Sequence, residues 1–147
     1  METPKDIMNL AADNIRILSA AMVEKAHSGH PGGAMGGADF INVLFSEFMI
    51  YDPSDPQWKC RDRFFLDPGH MSPMLYSQLA LCGKYTLDEL KSFRQWGSIT
   101  PGHPERDVER GIENTSGPLG QGHTYAVGAA IAAKALAART GNESFLK

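Results

Sequence analysis

Cysteine is scarce: Cys60 and Cys82 are the only two in 147 residues, and no CxxC spacing joins them. That excludes a disulfide framework and a zinc knuckle and leaves two packed or idle thiols. A basic excess is missing as well. Fourteen Lys and Arg against 17 Asp and Glu give a formal net charge of −3, which offers nothing to steer nucleic acid. No apolar run approaches the ~18 residues of a membrane span, and Met1 leads into the polar ETPKD without a basic region followed by an apolar one. The expectation is a cytoplasmic protein with neither nucleic acid nor membrane among its partners. Internal repeats and low-complexity tracts are absent too. With 42% hydrophobic and 21% charged residues, the chain is globular, long enough to bury about 68% of its unfolded surface.

Helical signals dominate what is present. Thr3, Pro4 and Asp6 make a helix start, and Ile7, Leu10, Ala11, Ile15, Leu18 and Met22 recur at helical spacing, so a helix is predicted over 4–25. Phe40, Ile41, Val43, Leu44, Phe45, Phe48 and Met49 are apolar on nearly every side, predicting a short buried helix that stops at Asp52 and Pro53. The compact run Phe64, Phe65, Leu66 has strand length and reads as a parallel strand buried on both faces. Ser72 and Pro73 open a helix that Gly83 ends, and Thr86 with Glu89 forms a capping box for another helix through Trp96. Residues 97–122 are rich in glycine and proline and lack a period, so an irregular segment is expected, with little to order against. A small-residue helix follows over 121–139, capped by Gly141 and suited to close packing.

Three histidines share an unusual setting. His30 lies in SGHPGG, His70 in DPGHMS and His103 in TPGHPE, each after a glycine, with proline following His30 and His103. Such neighbours hold backbone out of regular structure, which is how an imidazole is aimed into a cleft. The stretch KAHSGHPGGAMGG spends five glycines on thirteen positions, more than a surface turn requires. His27 and His30 are three apart, but Gly29 and Pro31 break the helix that would place them on one face, and no Cys or carboxylate stands close, so a zinc pair is rejected. GPLGQG, residues 117–122, leads into a helix and could cradle a phosphate with backbone N–H groups, though it is neither GxGxxG nor a P-loop.

Taken together, SGHPGG, FFLDPGH, LKSFRQWGSITPGHPE and NTSGPLGQGHTYAVG resemble, in order and spacing, the amino-terminal part of transketolase, from about Asn14 to Ala138. The resemblance implies an α/β class: a partial thiamine-diphosphate-binding fold with a parallel sheet flanked by helices, helix-rich in this segment. Residues 1–147 would be the amino-terminal part of the diphosphate-binding domain. The implied activity is transfer of a two-carbon ketol unit from a ketose phosphate to an aldose phosphate, with thiamine diphosphate supplying the carbanion chemistry. Alternatives are another thiamine-diphosphate ketol transferase, such as a dihydroxyacetone synthase, and a non-catalytic assembly module.

By the same resemblance, His30 contacts the sugar near the reacting carbons and assists proton movement, and His103 bonds a hydroxyl of the donor sugar. His70 touches the cofactor diphosphate, and Gly117, Pro118 and Leu119 lay their backbone against the cofactor. The glycines after His30 would then let the chain turn sharply beneath that cofactor. His27 and His123 depart from the family pattern and receive no role. The family's Gly-Asp-Gly segment, the Asn that completes its metal site and the glutamate that activates the aminopyrimidine do not occur before Lys147. A divalent metal, Mg or Ca, would therefore be held by residues beyond this chain, and the chain alone would be inactive. Its implied partners are sugar phosphates, the remainder of the enzyme or a second subunit, and a like copy in a homodimer.

Overall fold

A computed structural model of the chain describes residues 3–143. Helix α1 spans Pro4–Ala26 and starts as the sequence requires, with the Thr3 hydroxyl accepting from the Asp6 N–H at 3.2 Å and the Asp6 carboxylate accepting from the Thr3 N–H at 2.9 Å. Ala12, Ile15, Ser19 and Met22 form its buried stripe. Ile7 and Leu10, predicted on that stripe, are each 53% exposed because the first two turns project past the core. His27 ends the helix in the left-handed region, φ 48°.

A short helix, α2 (Pro31–Gly36), leads through Gly37 into α3 (Ala38–Val43) and a π-helical turn at Leu44–Phe48. Part of the glycine expenditure is explained here. A Cβ at Gly37 would lie 2.6 Å from the Met74 sulfur and one at Gly33 3.0 Å from Met71 Cγ, so these glycines let α2 close onto the next helix. That helix, α4 (Ser72–Leu81), is the centre of the molecule, with every residue from Ser72 to Leu79 buried against α1, α2 and α3. Burying an aliphatic or aromatic side chain fully is worth roughly 1.5–3 kcal/mol, and Leu75, Tyr76, Ile15, Ile41 and Phe93 all do so here.

Four sequence expectations change. The segment over 40–49 is not buried all round: Ile41 and Phe45 face the core, while Phe40 and Phe48 are 65% and 71% exposed. The helix begun by Thr86 is only one turn and a half, α5 (Leu87–Lys91). Arg94 takes φ 59° and its N–H turns back to the Thr100 carbonyl at 3.1 Å, which prevents helix through Trp96. Among the described residues there is no strand and hence no parallel sheet, only an isolated antiparallel bridge between Asp107 and Ile112. Phe64–Leu66 lies outside regular structure with no neighbouring strand among the described residues; the Asn114 amide takes that place, accepting from the Leu66 N–H at 3.1 Å and donating to its carbonyl at 3.3 Å. A single side chain thus meets the backbone hydrogen-bonding demand that a ladder would otherwise meet.

The fourth change concerns 97–120, which is irregular yet anchored. Tyr76 donates to the Pro101 carbonyl (2.9 Å), Ser72 to the Gly102 carbonyl (2.7 Å) and Arg110 to the Lys84 carbonyl (2.8 Å). Thr100, Ile112, Asn114 and Ser116 are buried, so the loop does have something to order against. Helix α6 (Gln121–Thr140) lies between left-handed Gly120 and Gly141. Its buried residues are Gly122, where a Cβ would fall 2.6 Å from the Leu66 carbonyl, and Ala137; Val127 and Ile131 are 59% and 63% exposed. No helix among the described residues is long and apolar enough to cross a membrane.

Candidate functional site

Three separate segments bring the three glycine-flanked histidines close together. Gly29, at φ 136°, allows the sharp exit from α1 that a side chain would strain. His30 follows in extended conformation as the residue before α2, and its side chain makes no capping hydrogen bond. Its ring is therefore uncommitted to the helix. His70 occupies a 3₁₀ turn, Gly69–Met71, that runs directly into α4. The His30 and His70 rings lie 4.6 Å apart between centroids, tilted by 43°.

His103 comes from the anchored loop and meets the same point through Gly69. A Cβ there would lie 3.1 Å from His103 Cδ2 and 2.6 Å from the Ser116 hydroxyl. Gly69 is thus the cradle across which the His70 turn, the His103 turn and the start of the 117–120 loop meet. Loss of hydration around the His103 ring, then the positive Arg94 and the neighbouring His70 and His30, hold its imidazole below the usual histidine value. Near neutral pH His103 is therefore a neutral donor and acceptor.

Gly117, Pro118 and Leu119 start from buried Ser116, whose N–H donates to the Pro104 carbonyl at 3.1 Å. Leu119 is 73% exposed on the outside of this turn. At the far end the Gly120 N–H donates to Asp67 Oδ1 at 3.2 Å, and Asp67 Oδ2 pairs with His123 Nδ1. The loop is so tied to the residue three before His70. Ser116 Oγ is buried without a partner, an unmet polar group beside the cradle of the kind that marks a ligand site.

Residues 7–146 match the family described as "Transketolase, thiamine diphosphate binding domain". The chain belongs to this transketolase family. It is 50% identical over 142 residues to the transketolase of Halalkalibacterium halodurans, covering 96% of this chain and 21% of that protein. It is 54% identical over 129 residues to transketolase 2 of Escherichia coli, covering 87% of this chain and 19% of that one. The solved transketolase of Leishmania mexicana superposes with a TM-score of 0.85 at 50% identity over 90% of this chain and 20% of its own. The chain thus spans about a fifth of the length of these relatives.

For this transketolase domain, thiamine diphosphate suits the residue types gathered here: imidazoles and the backbone N–H groups of Gly117 and Leu119 can donate to an anionic tail, beside the Gly69 cradle and the orphaned Ser116 hydroxyl. Among the described residues no group of three or more His, Cys, Asp or Glu could hold a metal ion. Sequence reasoning singled out His30, His70, His103 and the 117–119 loop, but gave no role to Asp67, Arg94 or His123. Asp67 reads as an ordinary residue before proline and Arg94 as a solvated arginine. The Asp67–His123 contact spans 56 residues, and no local spacing announces it.

The Asp67 tie has a pH signature. Burial alone would raise its carboxyl, but hydrogen bonds from His123 and Gly120 and the His123 charge hold it below the usual carboxylate range. A carboxyl lowered in the native state stabilises fully above its unfolded value of about 4 and loses that contribution as pH falls through the native one. Asp67→Asn should therefore melt lower than wild type at pH 7, with the gap shrinking toward pH 3. A gap independent of pH, measured by thermal unfolding, would remove the ion pair from the account.

Proposed function

We propose that this chain is the amino-terminal part of the diphosphate-binding domain of a transketolase, an enzyme that moves a two-carbon ketol unit from a ketose phosphate to an aldose phosphate. The observation that carries the reading is the convergence of His30, His70 and His103 from three segments on the Gly69 cradle. When bound, thiamine diphosphate supplies the carbanion chemistry. His30, free of any capping duty, faces the reacting carbons and moves a proton there; His103, neutral near pH 7, bonds a hydroxyl of the donor sugar. His70 and the backbone of Gly117, Pro118 and Leu119 hold the diphosphate, with Mg or Ca bound through residues beyond Lys147. In the full-length protein the 64–66 segment joins a parallel sheet flanked by helices, and two such cytoplasmic chains form a homodimer.

His70→Ala in the full-length enzyme tests the assignment. Losing one hydrogen bond to a charged group, ~1.5 kcal/mol, raises the cofactor dissociation constant about tenfold. Unchanged affinity in calorimetry would take His70 off the diphosphate.

A further inference from the structure

We propose that Arg94 is a positioning residue that ties the His30 turn to the His103 turn and keeps both imidazoles in fixed relation across the cleft; this rests on the roles given above to His30 and His103. The guanidinium reaches across 66 residues of sequence, Nη1 donating to the Ser28 hydroxyl at 2.8 Å, two residues before His30. Its other edge lies against Gly102, the residue before His103. A Cβ at 102 would fall 2.5 Å from Arg94 Nε, 2.8 Å from Cζ and 2.9 Å from Nη2. The glycine of TPGHP is therefore the seat of a planar cation, and an ammonium could not occupy both ends of that span.

Two further features separate this arginine from a surface charge. Its backbone holds φ 59°, a left-handed conformation uncommon outside glycine, fixed by the bond from its N–H to Thr100. Its Nε is buried without a partner, and no ion pair to a carboxylate is made by Arg94 among the described residues. A residue retained for stability would satisfy its donors; strain and an unmet donor collected beside reacting groups are the pattern of a site held for function. The open cleft it borders is lined by Ala26, Ser28, Pro101, Gly102 and His103. The charged and titratable groups that face His103 are Arg94, His70 and His30, all cationic or cationisable, so Arg94 also favours the neutral imidazole.

Histidine ring signals followed by NMR through a pH titration of the 147-residue chain test the tie without any need for catalysis; His103 is assigned with His103→Gln. Arg94→Gln should displace the ring signals of both His30 and His103 and move the His103 midpoint upward. Arg94→Lys should keep the midpoint near wild type while the ring signals still move, because charge survives and the fork does not. Should Arg94→Gln fail to fold, Ser28→Ala removes only the exposed hydroxyl and must still displace both rings. Unmoved rings in Arg94→Gln, or in Ser28→Ala where that variant stands in, overturn the proposal. In the full-length enzyme Arg94→Gln should lower kcat/KM about tenfold, mostly in kcat, with cofactor affinity retained. Displaced rings with unchanged turnover would uphold the tie and count against the catalytic roles of His30 and His103.

Discussion

His30→Ala in the full-length enzyme is expected to lower kcat by about 10²-fold or more, the scale of a positioned acid or base, with little change in melting temperature. The split follows from where the residue sits. His30 is exposed, precedes α2 without bonding any of its N–H groups, and its ring meets the tilted ring of His70 rather than a core cluster. Replacing it leaves α1, α4 and the buried Ile15, Leu75 and Phe93 as they are. On the proposed reading, what disappears is the imidazole that moves a proton at the reacting carbons, and a loss of 10²-fold corresponds to about 2.7 kcal/mol of barrier. Steady-state kinetics beside thermal melts decide it. Wild-type turnover would exclude His30 from proton movement, and a fall in melting temperature matching the activity loss would make it structural.

The second large effect concerns the chain by itself. At micromolar concentration the 147 residues should bind thiamine diphosphate too weakly to detect and transfer no ketol unit. An anionic diphosphate bound with a divalent cation needs oxygen ligands for the cation, and among the described residues no acidic cluster provides them. The chain also leaves apolar surface uncovered: α6 exposes Tyr125, Val127, Ile131 and Leu136, and Phe40 and Phe48 stand out from the other side of the sequence. Limited proteolysis should accordingly cut within 121–140, where only Gly122 and Ala137 are buried, before it cuts within 98–116, which is bonded to α4. On the proposed reading, adding the rest of a full-length transketolase should protect α6 and bring cofactor binding. Tight, magnesium-dependent binding by the 147 residues alone would mean that the metal site is made within them.

The sequence by itself determined the local decisions. Thr3 with Asp6 and Thr86 with Glu89 each form the capping box their spacing calls for, Gly83 and Gly141 stop the helices before them, and glycine and proline neighbours keep His30 and His103 out of helix interiors. It also carried the family through four motifs in order, because each motif answers a backbone need that a few adjacent residues meet together. Only the tertiary structure decided that Arg94 bridges to Ser28, that Asp67 holds Gly120 and His123, and that Asn114 satisfies the backbone of Leu66, pairs separated by 66, 53, 56 and 48 residues. Periodicity reports which residue types share a face, but contacts at such separations depend on how the faces close. The same reason explains where the described residues differ from expectation. Phe64–Leu66 needs a neighbouring strand to be a strand, and Phe40 and Phe48 need a covering surface to be core; neither lies among the residues described, and apolar composition alone cannot create one.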